Sequence, residues 1–391
     1  MSSRILACAL FVVLTAAVLV AWVPRYWPVT ILHCGVFVIA IAWLLVHVFR
    51  PAPVRWSPLF VPAALAGLWG LLQLGAGLTV YRFETSKASL YWLSNAVALF
   101  VAAQVLRDST VRRGFLKALA VLAVVIAIAG TLQYFTSPQR IYWIFPVAPW
   151  VYAFGPFVYR NQFAALMELA IPIPLYLLLS GRRHRWAYSL MSAMLFAAVI
   201  ATASRAGVVL VMLEAVLIFV LAWRRGLVSG RTLVFTLTPV AALGLVLTMV
   251  VGFQNVWSRF HESSPYALRG KLAASTVEMI RNRPLTGYGL GTWATVYPEF
   301  ATFDNGHYVN QAHNDWLQWT AEGGIFFGLM LAVLAGGASI LAWRTLWGVG
   351  VFFVFFHSWI DYPTGEPAIG AILFVLIGAM IAAGRREALA A

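Results

Sequence analysis

The run Ala118-Leu119-Ala120-Val121-Leu122-Ala123-Val124-Val125-Ile126-Ala127-Ile128-Ala129-Gly130 decides the fold. It holds no charge, no proline and no alternation of polar with apolar residues, so it suits neither a solvated helix face nor a half-buried strand. Extended on both sides, it makes an apolar stretch over 114–135, close to the roughly 20 residues that a helix needs to cross a bilayer. The pattern recurs. Cutting the 391-residue chain wherever Pro, Gly or clustered charge interrupts it gives twelve such runs, at about 5–22, 29–49, 56–75, 88–106, 114–135, 163–180, 186–203, 206–223, 232–252, 313–343, 346–361 and 367–384. Apolar residues make up 62% of the chain and charged residues 10%, against about a quarter charged in soluble domains. A water-soluble enzyme, a disordered chain and a disulfide scaffold are excluded. The expected fold is an all-α polytopic integral membrane protein of about twelve transmembrane helices. The first run reads as a retained helix, because Trp22-Val23-Pro24-Arg25 offers no small-x-small cleavage site. Cys8 and Cys34 sit inside apolar runs and supply neither a disulfide framework nor a cysteine metal site.

The formal charge is +14. In a membrane protein that excess reads first as topology, with no nucleic-acid partner implied. Placing the N-terminus in the cytoplasm puts Arg4, Arg50, Arg55, Arg107, Arg112, Arg113, Lys117, Arg182, Arg183, Arg185, Arg224, Arg225, Arg231, Arg344, Arg385 and Arg386 on that side. Both termini are then cytoplasmic. Arg25, Arg82, Lys87, Arg140, Arg160, Arg205, Arg259, Arg269, Lys271, Arg281 and Arg283 fall outside, where topology gives them no reason to be.

Two extramembrane segments exceed a tight connection. The first, about 136–162, is rich in aromatics and proline and suits the headgroup zone. The second, about 253–312, is long enough for a small extramembrane subdomain between helices 9 and 10. There Ser264-Pro265 has the form of an N-cap and first helical residue, and Leu268, Leu272 and Ile280 fall near one face of an expected amphipathic helix. The chain thus divides into helices 1–5 (1–135), the interfacial loop with helices 6–9 (136–252), the outer extramembrane subdomain (253–312), and helices 10–12 with a cytoplasmic tail (313–391).

Chemistry concentrates on the outer side. Ala203-Ser204-Arg205-Ala206-Gly207 is so short a turn that Arg205 is held at the membrane surface, where it either snorkels to lipid phosphate or meets another anion. In Gln311-Ala312-His313-Asn314-Asp315-Trp316-Leu317-Gln318, helical spacing puts Asn314, Asp315, Gln318 and Glu322 on one arc with His313 at the helix mouth. One reading is a helix-capping cluster; the other makes His313 a general base at the bilayer surface. Gly287-Tyr288-Gly289-Leu290-Gly291 is no nucleotide loop, since no strand precedes it, though its amides are available to an anion. No nucleoside triphosphate is at hand outside the cytoplasm, so an activated lipid is the natural donor. A polyprenyl-pyrophosphate sugar fits, with guanidiniums neutralising the departing pyrophosphate and a base deprotonating the acceptor hydroxyl. The His and Asp spacing is weak for zinc or magnesium, and no metal or other cofactor is called for. Embedded Glu168, Glu214 and Glu322 suit proton relay in a transporter or lipid flippase, and Glu168 and Glu214 suit helix-to-helix bonding instead.

The ordered set Gly155-Pro156-Phe157-Val158-Tyr159-Arg160-Asn161-Gln162-Phe163-Ala164, Ser204-Arg205-Ala206-Gly207, Arg281-Asn282-Arg283-Pro284-Leu285-Thr286-Gly287-Tyr288-Gly289-Leu290-Gly291, Ala312-His313-Asn314-Asp315-Trp316-Leu317-Gln318 with Glu322-Gly323-Gly324, and His357-Ser358-Trp359-Ile360-Asp361-Tyr362-Pro363 resembles the O-antigen ligase family and its relatives, the Wzy-type polymerases. The resemblance implies a GT-C-like, metal-independent, inverting glycosyltransferase of the bacterial inner membrane. Such a ligase moves a glycan from undecaprenyl pyrophosphate to lipid A-core at the periplasmic face, in lipopolysaccharide biosynthesis. Carried over by position, His313 is the candidate base, Arg205 and Arg269 bind pyrophosphate, and Arg160 and Arg281 are further contacts. Asn314 and Asp315 support His313. The motifs do not separate ligase from polymerase.

Overall fold

The computed structural model describes residues 3–148, 151, 153–180, 184–227, 229–251, 266–304, 306 and 308–390. Its helices are α1 (Ser3–Leu19), α2 (Tyr26–Phe49), α3 (Phe60–Gly75), α4 (Arg82–Val105), α5 (Ser109–Thr136), α6 (Arg160–Ala170), α7 (Pro172–Ser180), α8 (Arg185–Ala201), α9 (Arg205–Arg224), α10 (Gly230–Val251), α11 (Ala267–Asn282), α12 (Trp293–Val296), α13 (Asp315–Arg344), α14 (Val349–His357) and α15 (Pro367–Ala390). Two short strands, β1 (Arg140–Ile141) and β2 (Phe145–Pro146), pair antiparallel in the loop after α5. Among the described residues, seven segments are long and apolar enough to cross a membrane: α2, α4, α5, α6 with α7, α9, α13 and residues 367–384 of α15. Shorter apolar helices are α1, α3, α8, the 240–250 part of α10, and the 346–357 segment. The chain is mostly helical and consistent with a polytopic membrane protein.

Burial sorts these helices by position. From Ala368 to Ile381 every side chain of α15 is buried, which marks a helix that is apolar all round and central to the bundle. The peripheral helices instead leave Val12, Val38, Leu45, Leu71, Met212 and Val333 exposed. In water such surfaces would drive association, whereas lipid tails satisfy them.

Two breaks set up the site. Pro172 lacks a backbone N–H and divides α6 from α7. Gly324, at φ 76° and ψ 176°, divides α13, and the next amide, Ile325 N–H, donates to Pro284 O at 2.8 Å. A Cβ at Gly324 would collide with the Leu285 carbonyl, so only glycine lets the extramembrane chain seat in this kink.

Residues 266–312 carry a second, small core, in which Leu272, Met279, Tyr288, Trp293, Val296 and Tyr297 pack with Ala321 of α13. The amphipathic helix is there as α11, but its buried stripe is Leu272, Ser275, Thr276 and Met279. Leu268, expected on that face, is 46% exposed, because α11 meets the small core only from its second turn onward. Ser264 and Pro265 lie outside the described residues. The aromatic loop also divides: Trp143, Ile144 and Phe145 are exposed, whereas Phe154 and Phe157 are 1% exposed and fold back into the bundle. Phe154 stacks on Tyr134 of α5 at 4.3 Å, a contact worth more to the rings than the headgroup zone offers.

Candidate active site

Two helices begin with the same local device. Ser204 caps α9, its Oγ accepting the Gly207 N–H at 3.2 Å, and Asn314 caps α13, its Oδ1 accepting the Leu317 N–H at 2.9 Å. The residue before each cap is left-handed: Ala203 has φ 50° and His313 φ 52°. A residue with a Cβ holds that conformation only where its surroundings over-determine it. For His313 those surroundings are aromatic. Its ring meets Tyr362 edge-on at 4.9 Å and Tyr159 at 6.0 Å, and the two tyrosines stack on each other at 5.2 Å.

Asp361, in the bend after α14, organises the cluster. Its Oδ1 lies 3.1 Å from His313 Nδ1 and accepts the Tyr362 N–H at 3.0 Å. Its Oδ2 accepts from Arg269 Nη2 at 2.8 Å, from Tyr159 Oη at 2.9 Å, and from Asn161 Nδ2. The carboxylate side chain is 1% exposed. Burial alone would raise its pKa; the His313 hydrogen bond and the Arg269 charge outweigh burial and hold it at about 2. Arg269 shows the converse. Burial, the largest influence, would lower its guanidinium, and Asp361 together with Tyr159 and Tyr266 offsets that, leaving it raised. Tyr159 is pushed well above its usual value by burial and by Asp361, so it stays a phenol that donates to Asp361 while accepting from Asn161 Nδ2 at 2.7 Å and Arg269 Nη2 at 3.2 Å.

An anionic Asp361 takes a proton-bearing Nδ1, which leaves Nε2 of His313 as the lone-pair nitrogen. The His313 side chain is 25% exposed, and among the described residues no hydrogen bond holds Nε2. Arg269 is fixed at three N–H groups, the third being Nη1 to Ile360 O at 2.8 Å. Two of its five N–H groups therefore face no protein acceptor among the described residues. The Arg205 and Arg269 guanidiniums stand 5.2 and 5.6 Å from the centre of one ring, that of Tyr266. His313 ahead of α13, Arg269 on α11 and Arg205 at the start of α9 are thus linked through Asp361 and the Tyr266 ring.

The other expected residues divide. Arg160 is the first residue of α6, between Tyr159 and Asn161 of the cluster. Arg281 lies apart, paired with Glu278 at 3.2 Å on the exposed side of α11. Arg259 lies outside the described residues. Asn314 is the cap of α13, and its Nδ2 also donates to Trp359 O at 2.9 Å. Asp315 is 3% exposed and accepts from Ser358 Oγ at 2.9 Å and Thr364 Oγ1 at 2.8 Å, pinning α13 to the bend that carries Asp361. Both fix the start of α13 just after His313. Asp361, Tyr159, Asn161 and Tyr266 are the site residues that the candidate set from sequence omits. The usable signal was an acid and two tyrosines at the ends of apolar runs, where a lone carboxylate needs a partner.

The glycine turn is not an anion cradle. Its five amides are spent inside the protein: Gly287 on Arg283 O, Tyr288 on Ala321 O, Gly289 on Glu322 O, Leu290 on Gln73 Oε1 and Gly291 on Glu322 Oε2. Glu322 accepts from Trp293 N–H as well, at 3.1 Å, so it ties the small core to α13. Glu168 of α6 bonds His357 of α14 at 2.9 Å, both fully buried. Neither carboxylate oxygen of Glu214 has a hydrogen-bond partner among the described residues. Among those residues no group of three or more His, Cys, Asp or Glu is placed to hold a metal ion.

Residues 190–333 match the family model described as O-antigen ligase. That stretch contains Arg205, Arg269 and His313, and ends before Asp361. A curated relative, the ComP-specific O-oligosaccharyltransferase of Acinetobacter baylyi, is 22% identical over 215 residues. The match covers 52% of this chain and 39% of that relative, so the chain spans about two fifths of the relative's length. The resemblance drawn from the ordered motifs is borne out by both comparisons.

Proposed function

We propose, with the O-antigen ligase match as premise, that the chain transfers a glycan from undecaprenyl pyrophosphate to lipid A-core at the periplasmic face of the bacterial inner membrane. In this reading about twelve helices span the bilayer in a GT-C-like arrangement with both termini cytoplasmic. The observation that carries it is a single buried carboxylate, Asp361, joined to His313 on one oxygen and to Arg269 on the other. In support of this reading, the His313 imidazole and the Arg269 guanidinium share one carboxylate, and Arg205 stands on the same Tyr266 ring as Arg269.

The acceptor hydroxyl gives its proton to His313 Nε2 as its oxygen attacks the anomeric carbon. The bond from that carbon to the pyrophosphate oxygen breaks on the opposite side, inverting the centre, and the diphosphate leaves toward Arg205 and Arg269. Asp361 keeps the imidazole in the required tautomer and bears the imidazolium that results. No step calls for a metal.

The test is purified full-length protein in liposomes with a defined undecaprenyl-pyrophosphate glycan and lipid A-core, with and without EDTA. Transfer that survives EDTA and is lost in His313→Ala supports the proposal. Turnover retained in His313→Ala removes the base, and loss on chelation overturns metal independence. A Wzy-type polymerase shares this chemistry, and donor glycan offered as the acceptor separates it. The Acinetobacter relative is a ComP-specific O-oligosaccharyltransferase, so ComP is offered as a third acceptor in the same assay. A transporter or flippase instead predicts substrate movement that survives Arg205 and Arg269 replacement.

A further inference from the structure

We propose that Tyr266 is a positioning residue whose ring holds the Arg205 and Arg269 guanidiniums together as a seat for the diphosphate of the donor. The inference rests on the transfer reading above and gives a task to a side chain which that reading leaves idle. Tyr266 stands at the start of α11, where its carbonyl accepts the Gly270 N–H at 2.9 Å. Arg269 follows three residues later, a spacing at which helical side chains meet. Its guanidinium carbon is 5.6 Å from the centre of the Tyr266 ring, and that of Arg205, the first residue of α9, is 5.2 Å from the same point. One ring thus serves two cations from two helices.

A carboxylate between the two guanidiniums would fix them and also cancel a charge, whereas the negative face of an aromatic ring attracts cations without neutralising them. The pair therefore keeps its pull on an anion. Arg269 is set by the His313 cluster, its Nη atoms donating to Ile360 O, Tyr159 Oη and Asp361 Oδ2. The Tyr266 ring carries that placement across to Arg205. Guanidiniums donate to phosphate oxygens across about 2.8 Å, and two of them beside one ring can share the two linked phosphates of a single diphosphate. Holding both arginines in advance spares the cost of ordering two long side chains when the lipid arrives. Tyr266 is 43% exposed, so replacing it opens no cavity in a core.

The test measures binding of undecaprenyl pyrophosphate to the full-length protein in nonionic detergent by calorimetry, beside glycan transfer in liposomes. Tyr266→Phe keeps the ring and should bind within about twofold of the wild type. Tyr266→Leu, and pentafluorophenylalanine placed at the same position, keep bulk but lose the negative face, and each should weaken binding about tenfold. In transfer, both should lose about tenfold in kcat/KM for the donor while the acceptor KM stays unchanged. Wild-type affinity in Tyr266→Leu or in the fluorinated protein overturns the role, as does a loss in Tyr266→Phe equal to that in Tyr266→Leu. If Tyr266→Leu melts below the wild type, the fluorinated protein against Tyr266→Phe, alike in shape, decides. This ranking in binding without glycan transfer by the wild type overturns the transfer reading and leaves the seat standing. Transfer without the ranking overturns the seat alone.

Discussion

Asp361 fixes which nitrogen of His313 can act. Asp361→Asn keeps the shape but offers a carboxamide that donates as well as accepts, so the imidazole can settle in the wrong tautomer. Transfer should fall at least about 100-fold in the reconstituted assay, with substrate binding little changed. The carboxylate also links stability to pH. Its pKa is depressed to about 2, from about 3.9 in an unfolded chain, so its contribution is full above the unfolded value and is lost as pH falls through about 2. Melting curves of the wild type should lose that contribution between roughly pH 4 and 2, and Asp361→Asn should flatten this part of the profile. A wild-type profile that matches the variant's would remove the linkage. His313 and Arg205 were legible in the sequence because each stands at the mouth of an apolar run, where a cation or imidazole demands a reason. Asp361 stands in a quoted motif and at the end of an apolar run, but its role was not legible, because its partners His313, Arg269 and Tyr159 lie 48, 92 and 202 residues away, and no local pattern encodes pairing over such separations.

At the scale of an element, the kink in α13 joins the membrane bundle to the small extramembrane core. Gly324→Ala would put a Cβ against Leu285 O with a left-handed φ, and should destabilise the protein by about 1–3 kcal/mol in denaturant titration. An unchanged midpoint would show that the seat at Pro284 is dispensable. The apolar helices themselves were readable, since a bilayer allows few interruptions over some 20 residues. The glycine turn was not. Its spacing looks like an anion loop, yet Gln73 and Glu322, far apart in the chain, take its amides. The buried face of α11 was misplaced at Leu268 for a related reason: a short helix over a small core buries only the turns that the core reaches.

For the whole molecule, the orientation is testable with single cysteines introduced after Cys8 and Cys34, both exposed, are replaced by Ser. Lys271→Cys, on α11 beside the candidate site, should react with a membrane-impermeant maleimide added outside spheroplasts, and Arg50→Cys, at the end of α2, should not. The reverse pattern would turn the site toward the cytosol and remove the periplasmic assignment. The buried pair of Glu168 and His357 has a consequence for biogenesis. Its two halves are separated by 189 residues, roughly 10–40 s of translation. Through that interval a carboxylate waits in a proline-broken segment, ill suited to stable insertion by itself. Only when the last quarter of the chain leaves the ribosome can α6 lock into the bundle. A nascent chain stopped before α14 should therefore be retained by the insertion machinery or cleared by membrane proteolysis, even though most of its hydrophobic segments have already been made.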